Sequence, residues 1–187
     1  MYLMFKGIEK KVYRPEIDGL RAIAVAAVVL YHANINFHGH LLFKGGYIGV
    51  DIFFVISGYL ITLNIINGLV TGNFSFLDFY LRRIKRILPV LLTVIITTLP
   101  FAWAYMLPKA LVEYSGSALS TIAFGSNFWF WFEDSYMAES ASLKPLLHTW
   151  SLAVEEQFYI IYPLAMWALW KVIKKKLAII GLILFVL

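Results

Sequence analysis

One long apolar stretch in the middle of the chain, residues 87–107, restricts the fold more than any other feature. The hydrocarbon core of a bilayer is about 30 Å thick, and about 20 helical residues cross it. Residues 87–107 have this length and carry no charged side chain. Pro89 and Pro100 lie within the stretch, but membrane helices tolerate proline where neighbouring groups satisfy the freed carbonyls. The stretch therefore predicts a transmembrane helix.

Other segments are also long and apolar, and the composition of the chain supports the same interpretation. Hydrophobic residues make up 61% of the chain and charged residues 14%, whereas about a quarter of a soluble domain is charged. The sequence predicts an all-α fold, a polytopic transmembrane helical bundle that forms a single truncated domain. The predicted spans are residues 19–37, 47–66, 87–107 and 150–170, with residues 177–187 as the first part of a further, incomplete span.

The positive residues predict the orientation of these spans, because cytoplasmic loops are enriched in Lys and Arg. Clusters of Lys and Arg lie within residues 1–21, 67–86 and 171–176, which are therefore placed inside with the N-terminus. Residues 38–46 and 108–149 carry few positive charges and are placed outside. Topology thus explains the net charge of +5, and nucleic acid is not expected as a partner.

Residues 115–132 are uncharged and almost long enough to cross a bilayer. A crossing here would place the positive cluster at residues 171–176 on the outside. The segment is therefore predicted to be a re-entrant or interfacial helix.

The chain contains no cysteine, which excludes a cysteine nucleophile and thiolate metal sites from these residues. The four histidines, His32, His38, His40 and His148, do not show metal-ligand spacing on one helix. No metal is expected, and chemistry would depend on His, hydroxyl groups or carboxylates.

Arg21 and His32 are the first candidate site residues, because ionisable groups are costly within a membrane span. They are eleven residues apart in the sequence, so both lie on nearly the same helix face, with about 16 Å of rise between them. His32 fits two interpretations equally well. It is either a general base for a hydroxyl group or a histidine hydrogen-bonded at the outer interface.

Arg83 and Arg86 form a second candidate, three residues apart at the start of a predicted span. Their guanidinium groups would face one way and could bind a phosphate-rich ligand. The alternative is that the cluster only sets the topology.

Glu155 and Glu156 are the carboxylates of the predicted span 150–170. One of them could hold the tautomer of the histidine, orient an acceptor hydroxyl, or lie solvated near the outer end of the span. Helical spacing places Glu155 in a polar stripe with three other residues, which should face protein or a water-filled cavity. These residues are Ser151, Tyr159 and Tyr162.

Two further features favour a structural interpretation. Asp51 is expected to cap a helix that begins at Gly49. Ser57 and Gly58 are expected to form a close contact between helices.

Four sequence blocks, in order along almost the whole chain, resemble the membrane acyltransferase-3 family. The blocks are YRPEIDGLRA at residues 13–22, which His32 follows, GVDIFFVISGYLI at 49–61, RRIKRILP at 82–89 and HTWSLAVEEQFY at 148–159. The resemblance implies a bacterial enzyme of the cell (inner) membrane that O-acylates envelope carbohydrates. It also implies a cytoplasmic acyl-CoA donor, usually acetyl-CoA, and an acceptor hydroxyl on the outer side.

The resemblance also assigns roles to the candidate residues. The essential histidine of the family corresponds to His32, its first-helix arginine to Arg21, and its Arg-x-x-Arg pair to Arg83 and Arg86. The arginines are expected to hold the CoA phosphates, and His32 to act as general base with help from Glu155 or Glu156. Family members have more helices than these 187 residues hold, so the chain alone is expected to be inactive.

Three other functions compete with this interpretation. A transporter or flippase for an envelope precursor would use Arg21, His32 and Glu155 as a pathway without covalent chemistry. A structural subunit would need no catalytic histidine. A zinc hydrolase would need ligand spacing that the histidines lack.

Overall fold

The computed structural model describes residues 14–38, 40–41, 43–134 and 144–172. It is helical apart from one antiparallel ladder of two-residue strands, which pairs Asn36 with Leu41 and Phe37 with His40. This confirms the predicted all-α class. The elements in order are α1 (Pro15–His32), β1 (Asn36–Phe37), β2 (His40–Leu41), α2 (Ile48–Thr71), α3 (Phe76–Tyr105), α4 (Pro108–Ile122), α5 (Ser126–Asp134) and α6 (Thr149–Val172).

The described residues divide into two compact units. The first lies within Met1–Phe74 and Ala165–Leu187, and the second within Ser75–Leu164. The first unit therefore holds α1, the β-ladder and α2. The second holds α3, α4, α5 and most of α6.

Helices α1 and α2 pack closely in the first unit because two glycines bring their backbones together. A Cβ atom at Gly46 would overlap the carbonyl of Ala27, and one at Gly49 would overlap the carbonyl of Ala24. Among the residues that the structure describes, a Cβ atom at Gly58 would meet nothing within 4 Å. The predicted close contact is not found at Gly58 within these residues, and the glycines that bring α1 and α2 together lie at the start of α2.

The first predicted span is shifted in the structure. Helix α1 begins at Pro15, whose fixed φ suits the first helical turn, and it ends at His32 instead of residue 37. Asn34 then adopts a left-handed φ of 49°, which ends the helical path. His32 thus lies in the last turn of α1.

The second predicted span corresponds to α2, which extends to Thr71. Gly72, with a φ of 75°, ends the helix and donates to the carbonyl of Gly68. The helix begins at Ile48, and Asp51 lies exposed in its first turn. The residue at the cap position is Tyr47, without a side-chain cap bond, so the predicted capping role of Asp51 was wrong.

Helix α3 is 30 residues long and begins well before the predicted span 87–107. The Ser75 hydroxyl caps it by accepting a hydrogen bond from the Asp78 amide at 3.2 Å. The helix continues through Pro89 and Pro100, as predicted. Its first three turns therefore carry the positive cluster, and its remainder is apolar.

The segment predicted as one helix over residues 115–132 consists of parts of two helices, α4 and α5. They are separated at Phe124, which has a φ of 53°, and Gly125. Both pack on α3 and on the residues before α6 in one apolar core. This core contains Leu91, Ile95, Ala102, Tyr114, Ala118, Phe130 and Leu146.

Two of the helices that the structure describes, α2 and α3, are long and apolar enough to cross a membrane by length and composition. Large apolar side chains are exposed along α3, for example Trp103 at 77%. Helix α6 matches the predicted span 150–170 within two residues at each end. The predicted partial span 177–187 and the positive residues 174–176 lie outside the described residues.

Candidate functional site

Helices α3 and α6 bring charged and aromatic side chains together in the second unit. Arg83 projects from α3, and its guanidinium carbon lies over the Tyr159 ring of α6, 4.2 Å from the ring centroid. The Phe79 ring, one turn earlier on α3, lies 5.8 Å from the same carbon. Both rings are buried and Arg83 is half-buried. The contacts are cation–π interactions, and they fix the position of the guanidinium group.

The Tyr159 hydroxyl donates a hydrogen bond to Oε1 of Glu155, one helical turn earlier. Next to this pair, the Tyr80 hydroxyl of α3 donates to the main-chain carbonyl of Ile160 at 2.9 Å. These two bonds fix the ring of Tyr159 and hold α3 against α6. Glu155 therefore contacts the cluster through a tyrosine.

Glu156 differs from its neighbour. Its side chain is 7% exposed, and its Oε1 atom has no hydrogen-bond partner among the described residues. The carboxylate lies near enough to Arg83, Arg86 and Glu155 to interact with their charges. A buried carboxylate oxygen without a partner is costly, which marks Glu156 as a functional candidate.

The predicted polar stripe on α6 divides into separate contacts. The Ser151 hydroxyl donates to the carbonyl of His148 at 3.1 Å. The Tyr162 ring stacks on Phe158 with 4.5 Å between the ring centroids. Glu155 and Tyr159 are the members of the stripe that lie in the cluster with Arg83.

Arg21 and His32 lie on α1 in the first unit, Arg21 half-buried and His32 exposed. The Nδ1 atom of His32 lies 2.8 Å from the carbonyl oxygen of Val28. A carbonyl can only accept, so Nδ1 carries the proton in this contact. In the neutral imidazole, Nε2 is then the basic nitrogen.

A cavity of about 200 Å³ lies at the C-terminal end of α1 in the same unit, and His32 is not one of its lining residues. Its lining combines aromatic rings, an amide and an ammonium group with aliphatic side chains. The lining residues are Leu30, Tyr31, Asn34, Ile35, Phe43 and Lys44. The Tyr31 ring also meets the His32 ring edge-on, with 5.0 Å between the centroids.

Sequence reasoning did not identify Arg14, Phe79 or Tyr80 as contact residues. Arg14 donates a hydrogen bond to the Tyr59 hydroxyl of α2, and it lies within the first of the four sequence blocks. The available signal for Phe79 was its position one turn before Arg83 on the same helix face. In the part of the chain that the structure describes, no group of three or more His, Cys, Asp or Glu could hold a metal ion.

The comparisons with known proteins agree with the resemblance seen in the sequence. A family model described as an acyltransferase domain matches residues 14–187. The chain therefore belongs to this acyltransferase family.

Three curated relatives illustrate the similarity. The chain is 44% identical over 155 residues to a protein named putative peptidoglycan O-acetyltransferase YrhL of Bacillus subtilis, covering 81% of this chain and 23% of the relative. It is 39% identical over 164 residues to O-acetyltransferase OatA of Staphylococcus aureus, covering 86% and 26%. It is 39% identical over 175 residues to a putative O-acetyltransferase, SAS0844, of Staphylococcus aureus, covering 92% and 28%. The chain thus spans about a quarter of the length of these relatives, and no solved structure matches it.

Proposed function

We propose that the protein containing this chain is a membrane O-acetyltransferase that transfers an acetyl group from acetyl-CoA to a hydroxyl of a cell-wall carbohydrate. Family membership and the names of the relatives support the acetyl group and the carbohydrate acceptor. The observation that carries the proposal is the half-buried Arg83, held between two aromatic rings beside a positive cluster, where a phosphate-bearing donor would bind. The apolar helices α2 and α3 support a multi-pass location in the cell membrane.

The donor is proposed to bind from the cytoplasm. Arg21, Arg83 and Arg86 would bind the phosphates of acyl-CoA, because guanidinium groups form bidentate, charge-assisted hydrogen bonds to phosphate. The positive-inside bias supports a cytoplasmic N-terminus, and it supports a donor side at the Arg83 end of α3.

His32 is proposed as the general base. Its Nε2 atom would accept the proton of the acceptor hydroxyl while that oxygen attacks the thioester carbonyl. The carbon–sulfur bond then breaks, the imidazolium returns its proton to the leaving thiolate, and the products are an acetyl ester and free CoA. The Nδ1 contact with Val28 supports this role because it leaves Nε2 as the basic atom. Glu155 or Glu156 would position the acceptor or the imidazole.

The cavity at the C-terminal end of α1, which Tyr31 next to His32 in the sequence lines, is proposed to take part in acceptor binding. Asn34 and Lys44 supply hydrogen-bond donors for sugar oxygens, and Tyr31 and Phe43 supply apolar faces. A few polar groups in an apolar lining are typical of small-molecule sites. The volume of about 200 Å³ suits part of a saccharide better than a whole chain.

The test measures ester-linked acetate on cell-wall polysaccharide in cells that express the full-length protein or its His32→Ala variant at matched membrane levels. His38→Asn is the control, because His38 has a φ of 48°, which asparagine adopts readily. We expect the acetyl ester to disappear with His32→Ala and to persist in the control. Equal acetylation in the wild type and the His32→Ala variant would exclude the proposed base. Acetylation in none of the strains would favour a transporter or flippase for an envelope precursor.

A further inference from the structure

We propose that Tyr159 is a positioning residue that holds Arg83 in place for the diphosphate of the acyl donor, and that Glu155 in turn fixes Tyr159. The ligand in question is the donor of the proposed function, on which this assignment rests. It also separates the roles of Glu155 and Glu156, which the sequence alone leaves open.

The geometry leaves the binding edge of Arg83 available. A guanidinium group has two flat faces and an edge of five N–H donors. The Tyr159 and Phe79 ring centroids lie 4.2 and 5.8 Å from the guanidinium carbon, and these contacts use none of its N–H groups in a hydrogen bond. Within the described residues, Arg83 has neither a hydrogen bond nor an ion pair. Its N–H groups can therefore meet a diphosphate without first breaking a protein contact.

A long side chain binds a ligand more tightly when the fold already holds it in its binding position. A free arginine loses rotamer entropy when it is fixed. Arg83 is already half-buried and in contact with two buried rings, so the fold has already reduced this entropy. The Tyr159 ring is nearer to the guanidinium group than the Phe79 ring. The orientation of the Tyr159 ring therefore affects the position of Arg83 more.

Glu155 determines the orientation of Tyr159. The tyrosine is 3% exposed, and its hydroxyl donates to the Glu155 carboxylate on the same helix. The bond from Tyr80 to the carbonyl of Ile160 fixes the adjacent part of α6 against α3. The chain of contacts runs from Glu155 to Tyr159 to Arg83.

Arg86 lacks this arrangement. It is exposed, and in the described part of the chain no aromatic ring is recorded over its guanidinium group. Because its guanidinium group is not held in advance, Arg86 would contribute mainly its charge, and a lysine also binds phosphate as a point charge. We therefore expect Arg86→Lys to be tolerated, whereas Arg83→Lys loses the flat group that the rings hold and raises the KM for acetyl-CoA.

The main experiment is a double-mutant cycle on the full-length protein in native membranes, with the rate of acetyl transfer measured against acetyl-CoA concentration. Tyr159→Leu is expected to raise the KM for acetyl-CoA about 3- to 30-fold, the range of a cation–π contact, with a smaller change in kcat. Tyr159→Phe keeps the ring and should have an intermediate effect. In the Arg83→Ala background, Tyr159→Leu should add almost nothing, because the two residues act as one unit.

Additive effects of Arg83→Ala and Tyr159→Leu would overturn the assignment, as would a loss of kcat at unchanged KM. Membrane levels and thermal unfolding identify a variant that fails to fold. If Tyr159→Leu fails to fold, the KM of Tyr159→Phe tests the assignment instead, because this variant preserves the ring volume. Glu155→Gln keeps an acceptor oxygen for the tyrosine and should raise the KM less than Glu155→Ala. Unchanged KM in the Tyr159 variants, together with loss of ester in His32→Ala, would remove this assignment and leave the proposed function standing.

Discussion

Lys144 Nζ lies 3.0 Å from Glu133 Oε2, and the two side chains are only 9% and 15% exposed. An ion pair this enclosed differs from one on the surface, because removal of one partner leaves a charge in a poorly solvated place. The pair joins the residues before α6 to α5 and borders the apolar core of the second unit.

Lys144→Ala should therefore destabilise the protein strongly, by about 3–5 kcal/mol if the whole cost of an uncompensated buried charge is felt. The matched control is Lys109→Ala. Lys109 is 59% exposed and lies 4.0 Å from Glu113, and exposed pairs of this kind contribute about 0–1 kcal/mol. Thermal unfolding followed by tryptophan fluorescence measures both. Similar melting temperatures for the two variants would contradict the importance of burial.

Gly49→Ala should disturb the packing of α1 on α2, because the added methyl group would overlap the carbonyl of Ala24. Overpacking of this kind costs about 1–3 kcal/mol. Gly58→Ala lies on the same helix, where a Cβ atom meets no described residue within 4 Å, so it should be neutral or slightly stabilising. Folded protein in the membrane and its melting temperature report the difference. A tolerated Gly49→Ala would show that the two helices can separate without cost.

Glu156→Gln should lower acetyl transfer without lowering the melting temperature. The carboxylate is buried, and one of its oxygens has no hydrogen-bond partner in the part of the chain that the structure describes, so an uncharged group of the same shape costs less to bury. Glu16→Gln is the control, since Glu16 is exposed and pairs with Arg14 at the surface. A variant that keeps full activity would exclude Glu156 from the reaction. A variant that unfolds early would assign Glu156 to stability.

Lys44→Ala should raise the KM for the carbohydrate acceptor about tenfold, the effect of losing one hydrogen bond to a charged group. The KM for acetyl-CoA should stay the same, because Lys44 borders the cavity at the end of α1 and is not one of the arginines proposed to bind the donor. Acetyl transfer is measured against a soluble acceptor oligosaccharide, with His38→Asn as the matched control. A parallel rise in both KM values would point to a general loss of structure.

The orientation can be tested with single cysteines, because the chain contains none of its own. Arg82→Cys lies in the positive cluster expected inside, and Lys109→Cys in the segment expected outside. In a protein otherwise free of cysteine, a membrane-impermeant maleimide applied to whole cells should label only Lys109→Cys. Permeabilised cells should label both. Labelling of Arg82→Cys alone in whole cells would reverse the proposed topology.

The sequence predicted the helical class and the general positions of the helices, but it placed several boundaries wrongly. The apolar run began at Ile87, and Arg83 and Arg86 were expected on a helix that enters the membrane there, but the start of α3 at Phe76 was not predicted. Ser75, followed by Asp78, was a usable capping signal for the true start. The break at Phe124 was missed because a uniformly apolar run conceals a turn, although Gly125 stood next to it.

The candidate site was predicted only in part. Arg83 and Glu155 were recognisable as charged residues in or beside apolar segments. Their link through Tyr159 was not, since the spacing of residues on one helix does not show which side chain of another helix lies opposite. The same limit applies to Gly46 and Gly49, whose partners lie on α1.

The 30 residues of α3 make it about 45 Å long, which matches the full thickness of a bilayer with its headgroups. Arg83 lies about 10 Å from the N-terminal end of α3, beside Tyr159 in the middle of α6. A nucleotide that enters from this end of α3 would reach the guanidinium group within the first third of the helix. Only the acetyl thioester of the donor would need to reach further into the bilayer. The length of α3 would thus separate the nucleotide part of the donor from its reactive acetyl group.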